Sequence, residues 1–309
     1  MNTPPNAADE PPPSVDLVIA PRPRDLGGFT VRRVLPYAKR RLVGPFVFFD
    51  EMGPATFAPG EGVDVRPHPH IGLATVTYLF DGALRHRDTL GKDQIIRPGD
   101  LNWMSAGRGV AHSERTDPET RAAGHKLHGL QLWAALPEAD AESAPWFEHH
   151  PKDALPEIET DGARSRLIAG TAFGQVAPVR ATGATYYYVT EAEAGAAVPT
   201  PADAAERAIY VVDGSVTIDG AALAEKSMAV FKTGAQPGVR AGADGARVAS
   251  IGGDPFGQRV IDWNFVASDK ARLEKARADW RASIDGGFDG TYFALPEGER
   301  EWIPLPGDG

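Results

Sequence analysis

The 309-residue chain contains no cysteine. That absence excludes disulfides, thiolate metal ligands and a thiol nucleophile, so any metal must rest on imidazole and carboxylate groups. It is also consistent with a reducing cytoplasm. Long apolar runs are missing too, and the first residues are polar and acidic rather than basic and then hydrophobic. Neither a membrane-spanning helix nor an export signal is expected. Positive charge is scarce: 32 Lys and Arg against 42 Asp and Glu give a formal charge of -10, which argues against direct nucleic-acid binding through phosphate contacts. The short cluster Lys39-Arg40-Arg41 reads as a solvated turn. Helical periodicity is the last shortage, with one long helical pattern near the C-terminus.

What is present is a chain of 42% hydrophobic residues, enough to bury a sizeable core and long enough for about two domains. Its 34 Gly and 27 Pro cut the sequence into short runs rich in Val, Leu, Ile, Phe and Tyr. Thr75 to Phe80 is one clear strand, and the pattern is that of an all-β antiparallel sandwich or barrel. Tyr78-Leu79-Phe80-Asp81-Gly82 is echoed by Tyr210-Val211-Val212-Asp213-Gly214, and each is followed by a loop ending in Ala106-Gly107 or Thr233-Gly234. The repeat predicts two tandem barrels. The expected organisation is a flexible Pro-rich tail at 1–14, an N-terminal barrel at 15–136, a polar connection at 137–163 and a C-terminal barrel at 164–262. A helix and an extended strap then fill 263–309. In that helix Ser268 is the expected cap, Asp269 lies in the first turn, and Leu273, Ala276, Trp280 and Ile284 recur at helical spacing. It reads as an amphipathic helix laid on a barrel.

The histidines are unevenly placed: five of eight fall between His68 and His125, and none follows His150. In His68-Pro69-His70, period-2 alternation points both imidazoles to one face of a strand, with Pro69 suited to an edge or bulge. Downstream, a glycine-rich turn at Ser105 to Gly109 leads into Val110-Ala111-His112-Ser113-Glu114, where His112 and Glu114 share a face by the same rule. Brought together across a small barrel, His68, His70, His112 and Glu114 make a set of nitrogen and oxygen donors suited to one divalent transition metal. Four protein ligands in octahedral geometry leave two open positions for substrate or dioxygen. In the second copy Thr200-Pro201-Ala202 stands in the place of His68-Pro69-His70, and Val239 and Ala241 fall opposite His112 and Glu114. That barrel is expected to hold no metal.

These stretches resemble the pirin family of the cupin superfamily. The resemblance runs from about Val43 to Leu136 through Gly44-Pro45-Phe46-Val47, His68-Pro69-His70, His86-Arg87-Asp88, Pro98-Gly99-Asp100, Ala106-Gly107-Arg108-Gly109, His112-Ser113-Glu114 and Leu130-Gln131-Leu132-Trp133. Trp263-Asn264-Phe265-Val266 and the helix ending at Trp280 extend it more loosely. It implies a bicupin, two tandem double-stranded β-helix (jelly-roll) barrels, with one Fe(II) on His68, His70, His112 and Glu114. Ala74 and Thr75 occupy the stretch where the general cupin pattern has a glutamate ligand, which leaves Glu114 as the carboxylate ligand and either Glu114 itself or a metal-bound hydroxide as the candidate proton acceptor.

The remaining candidates read as structural. His86 is expected to be a hairpin residue paired with Asp88, and His125 and His128 a loop residue and a strand end. His149-His150 should be solvated in the connection. Trp103 and Met104 are expected to pack the core. Arg108 either orients an anionic substrate or caps its loop.

Two functions are open at this stage. The first, which the resemblance favours, is a quercetin 2,3-dioxygenase-type oxidoreductase that opens a flavonol- or catechol-like ring with O2, releasing carbon monoxide from a flavonol. The second is a metal-dependent regulatory protein that binds a protein partner without catalysis.

Overall fold

Alternating burial along the strands divides the chain into apolar-lined sheets, and the computed structural model describes residues 11–25, 29–181 and 183–308. Among the described residues two compact units result: residues 22–154 with 256–308, and residues 11–21 with 155–255. Both are barrels of antiparallel strands, and the all-β bicupin expectation is borne out.

In the histidine-bearing unit, a seven-stranded sheet runs in the order Trp146–His150, Leu101–Ser105, Leu73–Asp81, His125–Ala135, Phe46–Phe57, Thr30–Leu35 and Arg22–Asp25. A four-stranded sheet carries Asp64–His70, Val110–Arg115, Leu84–Asp88 and Asp93–Ile96 in that order. Asp64–His70 is therefore an edge strand, where Pro67 and Pro69 forfeit no interior ladder bond. The open edge is covered by the C-terminal strap, whose Ile303 N–H donates to Pro67 O at 2.8 Å. A short hairpin, Val260–Asp262 with Phe265–Ala267, closes on the same region through a parallel bridge between Ile71 and Phe265. Gly72 lets it approach: its φ is +66°, and a Cβ there would lie 2.0 Å from Val266 O.

The helix Lys270–Asp285 buries Leu273, Ala276 and Trp280 against Ile71, Ala111, Phe265, Phe293 and Leu305. Trp280 also donates its indole N–H to Ile303 O at 3.1 Å. Its cap is Asp269, one residue later than expected: the Asp269 carboxylate accepts from Ala271 N at 2.7 Å, and a carboxylate at that point also favours the helix dipole.

The other unit is a nine-stranded sheet whose main path is Val15–Ile19, Met228–Phe231, Glu206–Ile218, Val239–Gly253, Thr185–Ala192, Ala163–Ala172 and Glu157–Thr160. Val15–Ile19, expected to open the N-terminal barrel, instead pairs antiparallel with Met228–Phe231. An edge strand needs only a free ladder, and its own sequence does not name the partner. The tail expected at 1–14 lies outside the described residues up to residue 10. Ser14, however, is buried and donates its hydroxyl to Asp219 at 2.5 Å. Residues expected to form a polar connection also enter sheets, Trp146–His150 pairing with Leu101–Ser105 and Glu157–Thr160 with Ala163–Ala172.

The interior of this second barrel is packed with Val198, Ile209, Val211, Val216, Ile218, Val239 and Ala241. Val239 faces Val198, whose N–H donates to Val239 O at 3.0 Å, and Ala241 donates to Ala196 O. The correspondence with His112 and His68 is thus displaced two residues from Thr200, because strand register is fixed by pairing rather than by the spacing of motifs.

Candidate metal centre

Register brings the sequence-predicted residues onto facing positions. His112 pairs directly with His68, and Val110 pairs with His70 on the same two strands. On its other side the His112 strand meets Leu84–Asp88, with His112 opposite Asp88 and Glu114 opposite His86. The ladder slips between His112 and Glu114, so that Glu114 lies opposite Val65.

His68, His70 and His112 are all buried and offer nitrogens within 4.8 Å of one another. His70 Nε2 and His112 Nε2 are 3.1 Å apart. Two nitrogens each about 2.1 Å from one ion, at right angles, are separated by about 3.0 Å, so this spacing fits neighbouring ligands of one metal. The hydrogen bonds behind the rings point to the same use. His68 Nδ1 is 2.8 Å from Arg66 O and His70 Nδ1 is 3.1 Å from Asn264 O. A carbonyl only accepts, so both protons sit on Nδ1 and both Nε2 lone pairs are free. Burial drives the His68 pKa down to about 4, with Arg66 O opposing and His86 assisting. Burial, and then the neighbouring imidazoles, likewise hold His70 and His112 well below the ordinary histidine value. Buried, neutral, inward-facing imidazoles are the form that ligates a metal.

Glu114 falls in a second group, with His86 and His112, whose donor atoms also lie within 4.8 Å of one another. Thr77 Oγ1 stands 2.7 Å from Gln131 Oε1 and 3.3 Å from Glu114 Oε1, one hydroxyl proton between two acceptors. Burial raises the Glu114 pKa, while His86, Thr77 and Gln131 pull the other way. The structure thus joins the three predicted histidines in one cluster and reaches Glu114 through His112 in another.

Aromatic residues wall the site. Trp133 sets its ring edge-on to His70 at 5.2 Å, and Phe48 stacks on Trp133 at 4.0 Å with Arg33 over its outer face at 4.4 Å. Met104, Thr75, Trp133 and Phe48 form one cross-strand row, and Asn102, Thr77, Gln131, Asp50 and Arg33 the next row on that face.

His86 is more than a hairpin residue. Besides Asp88 it contacts His112, Nδ1 to Nδ1 at 3.2 Å, and Phe147 stacks on it at 4.6 Å. The alternation rule that selects His68 and His70 applies equally to His86-Arg87-Asp88, and that spacing was the available clue. The other candidates lie elsewhere. His125 stacks on Phe57, His128 meets the buried Glu51 at 2.9 Å, and His149 meets Asn102 at 2.8 Å within a strand rather than in solvent. Trp103 and Met104 are buried, whereas the Arg108 side chain is exposed and its carbonyl accepts from Arg272 and Tyr292.

A duplicated β-barrel with one histidine-lined interior defines the class as a bicupin with a candidate metal centre in a single barrel. The Pirin family model matches residues 28–134, and that of the pirin C-terminal cupin domain matches residues 187–286. A pirin-like protein of Caulobacter vibrioides is 46% identical over 296 residues, covering 94% of this chain and 99% of that protein. The chain belongs to the pirin family. A crystal structure of quercetin 2,3-dioxygenase from Acinetobacter baumannii superposes with a TM-score of 0.83 at 32% identity, covering 95% of this chain and 96% of that one. A bacterial pirin of Escherichia coli, solved in complex with nickel(II), shares the fold at a TM-score of 0.60 and 18% identity, covering 77% of this chain and 99% of its own.

Proposed function

We propose that the chain is a metal-dependent dioxygenase that opens a flavonol- or catechol-like ring with O2, at a centre formed by His68, His70, His112 and Glu114. The observation that carries this reading is the convergence of three buried imidazoles with nitrogens within 4.8 Å of one another, the Nε2 atoms of His70 and His112 facing each other at 3.1 Å. Fe(II) is the metal we assign, and when bound it supplies Lewis acidity toward substrate oxygens and a redox partner for O2.

The chain's own residues supply the rest. His68 and His70 are held in one tautomer by Arg66 O and Asn264 O, so no proton has to leave Nε2 for them to ligate. The ring edge of Trp133 and its stacked partner Phe48 offer an aromatic wall beside His70, which suits a flat aromatic substrate. Glu114, its pKa raised by burial, accepts the proton of a substrate hydroxyl at a carboxylate oxygen, and Thr77 Oγ1 steadies that carboxylate. Similarity to the Acinetobacter quercetin 2,3-dioxygenase across nearly the whole chain supports a flavonol as the first substrate to try.

The test is elemental analysis of anaerobically purified wild type and His68→Ala, followed by oxygen uptake with quercetin. Bound iron and quercetin-dependent oxygen consumption in the wild type, both lost in the variant, are expected. Iron-loaded protein that leaves flavonols and catechols untouched would overturn the enzymatic reading and leave only a metal-binding one.

A further inference from the structure

Asp88 and His86 lie outside the proposed ligand set, yet both are almost fully buried, at 1% and 4% exposure. Asp88 Oδ2 is 3.0 Å from His86 Nε2, while Oδ1 accepts the backbone N–H groups of Leu90 at 2.9 Å and Lys92 at 3.1 Å. The turn therefore fixes the carboxylate, and the carboxylate with the stacked Phe147 ring fixes the imidazole. The far nitrogen of that imidazole, Nδ1, is 3.2 Å from His112 Nδ1.

Proton counting along this chain has one neutral solution that leaves His112 Nε2 free for a metal. A carboxylate only accepts, so His86 carries its proton on Nε2 and leaves Nδ1 bare. A bare Nδ1 only accepts, so the contact with His86 is satisfied when His112 holds its own proton on Nδ1. His112 Nε2 is then a free lone pair, aimed at the equally free Nε2 of His70 3.1 Å away. Had His112 carried its proton on Nε2, it would donate to His70 across that gap, and a metal would first have to displace it.

We propose that Asp88 and His86 are positioning residues that set the tautomer of His112 and thereby keep its Nε2 open toward the metal centre. The inference rests on the metal-centre reading above and adds to it a buried three-residue relay, Asp88 to His86 to His112. His112 thus acquires through two side chains the orientation that His68 and His70 obtain from backbone carbonyls. Partners behind metal-ligating histidines are worth roughly ten- to a hundredfold in metal affinity.

Asp88→Asn tests the relay by reversing it at constant shape. The asparagine oxygen keeps the Leu90 and Lys92 N–H groups, and its NH2 then donates to His86 Nε2. That drives the His86 proton to Nδ1 and the His112 proton to Nε2. His86→Phe removes the acceptor while retaining an aromatic ring against Phe147. Long-range 1H–15N spectra of metal-free protein read the tautomers directly, with His112 protonated on Nδ1 in the wild type and on Nε2 in Asp88→Asn. Calorimetric titration with Mn(II) and Ni(II) is expected to show affinity falling roughly ten- to a hundredfold in both variants, with wild-type far-UV circular dichroism.

An unchanged His112 tautomer in Asp88→Asn, or equal metal affinity in all three proteins, would overturn the relay. Four coordinated imidazoles rather than three in pulsed EPR of Cu(II)-loaded wild type would also overturn it, by making His86 a ligand. A wild type that binds no metal defeats the metal-centre reading instead, and the tautomer measurement still decides the relay.

Discussion

His70 Nε2 and His112 Nε2 face each other at 3.1 Å in a buried site. Asn264 O commits the His70 proton to the opposite side of its ring. With the His112 proton on Nδ1, as the proposed relay sets it, the two facing lone pairs repel unless a cation lies between them, which links metal occupancy to the stability of the barrel.

Metal removal should accordingly lower the melting temperature. A ligand that binds only the folded state adds about 4 kcal/mol at a free concentration of about 1,000 times its Kd. Differential scanning calorimetry with and without a chelator is expected to show this shift in wild type. His70→Ala is expected to melt independently of added iron and to show none.

Stability of the metal-free protein should fall on acidification below neutrality. His68 takes up a proton near pH 6.5 when unfolded but only near pH 4 when folded, because burial lowers its pKa. Between those values the unfolded state binds more protons, so stability increases with pH across the window and is fully present above 6.5. His68 alone contributes on the order of 3 kcal/mol to this slope. Urea denaturation at pH 7.5, 6 and 5 measures it, and midpoints independent of pH would refute the buried neutral state.

Glu299 ties the strap to the back of the His112 strand. Its carboxylate accepts from Ser113 Oγ at 2.7 Å and from Arg115 at 2.9 Å and 2.7 Å, with only 5% of the side chain exposed. Burial pushes its pKa up, but the Arg115 and Ser113 bonds outweigh burial and hold it low. Stability from this contact is therefore present above the ordinary glutamate pKa and lost as pH falls through the folded one. Glu299→Ala, leaving Arg115 short of its main partner, should cost roughly 3 kcal/mol, read as an earlier urea midpoint.

Removing the aromatic wall should affect the substrate more than the metal. Trp133→Leu is expected to retain iron and to raise KM for quercetin roughly tenfold, equivalent to about 1.4 kcal/mol of lost ring contact. A matching loss of iron would instead show that Trp133 mainly supports His70.

The sequence exposed the parts of the site that follow a local rule. Period-2 spacing puts His68 with His70 and His112 with Glu114 on common faces, and the structure pairs His68 directly with His112. The absence of histidine after His150 made the second barrel's apolar interior equally legible. What stayed hidden depends on distant pairing. Nothing in Asn264 announces that its carbonyl meets His70, 194 residues earlier. Nor does Val15–Ile19 name Met228–Phe231 as its neighbour. His86 lay between these cases: its spacing to Asp88 was visible, but contact with His112 requires the Leu84–Asp88 strand to lie beside Val110–Arg115.

The return of residues 256–308 to the first barrel has a consequence for biosynthesis. A ribosome delivers His68, His70 and His112 long before Asn264, Ile303 and Glu299, and makes the whole second barrel in between. The nascent histidine strands must therefore wait, with one edge uncovered and one imidazole lacking its carbonyl, until the hairpin and strap have been made. Loading of the proposed metal would thus follow synthesis of the strap, and a premature stop after the second barrel would yield a chain with all of its proposed ligands and an unfinished place to hold them.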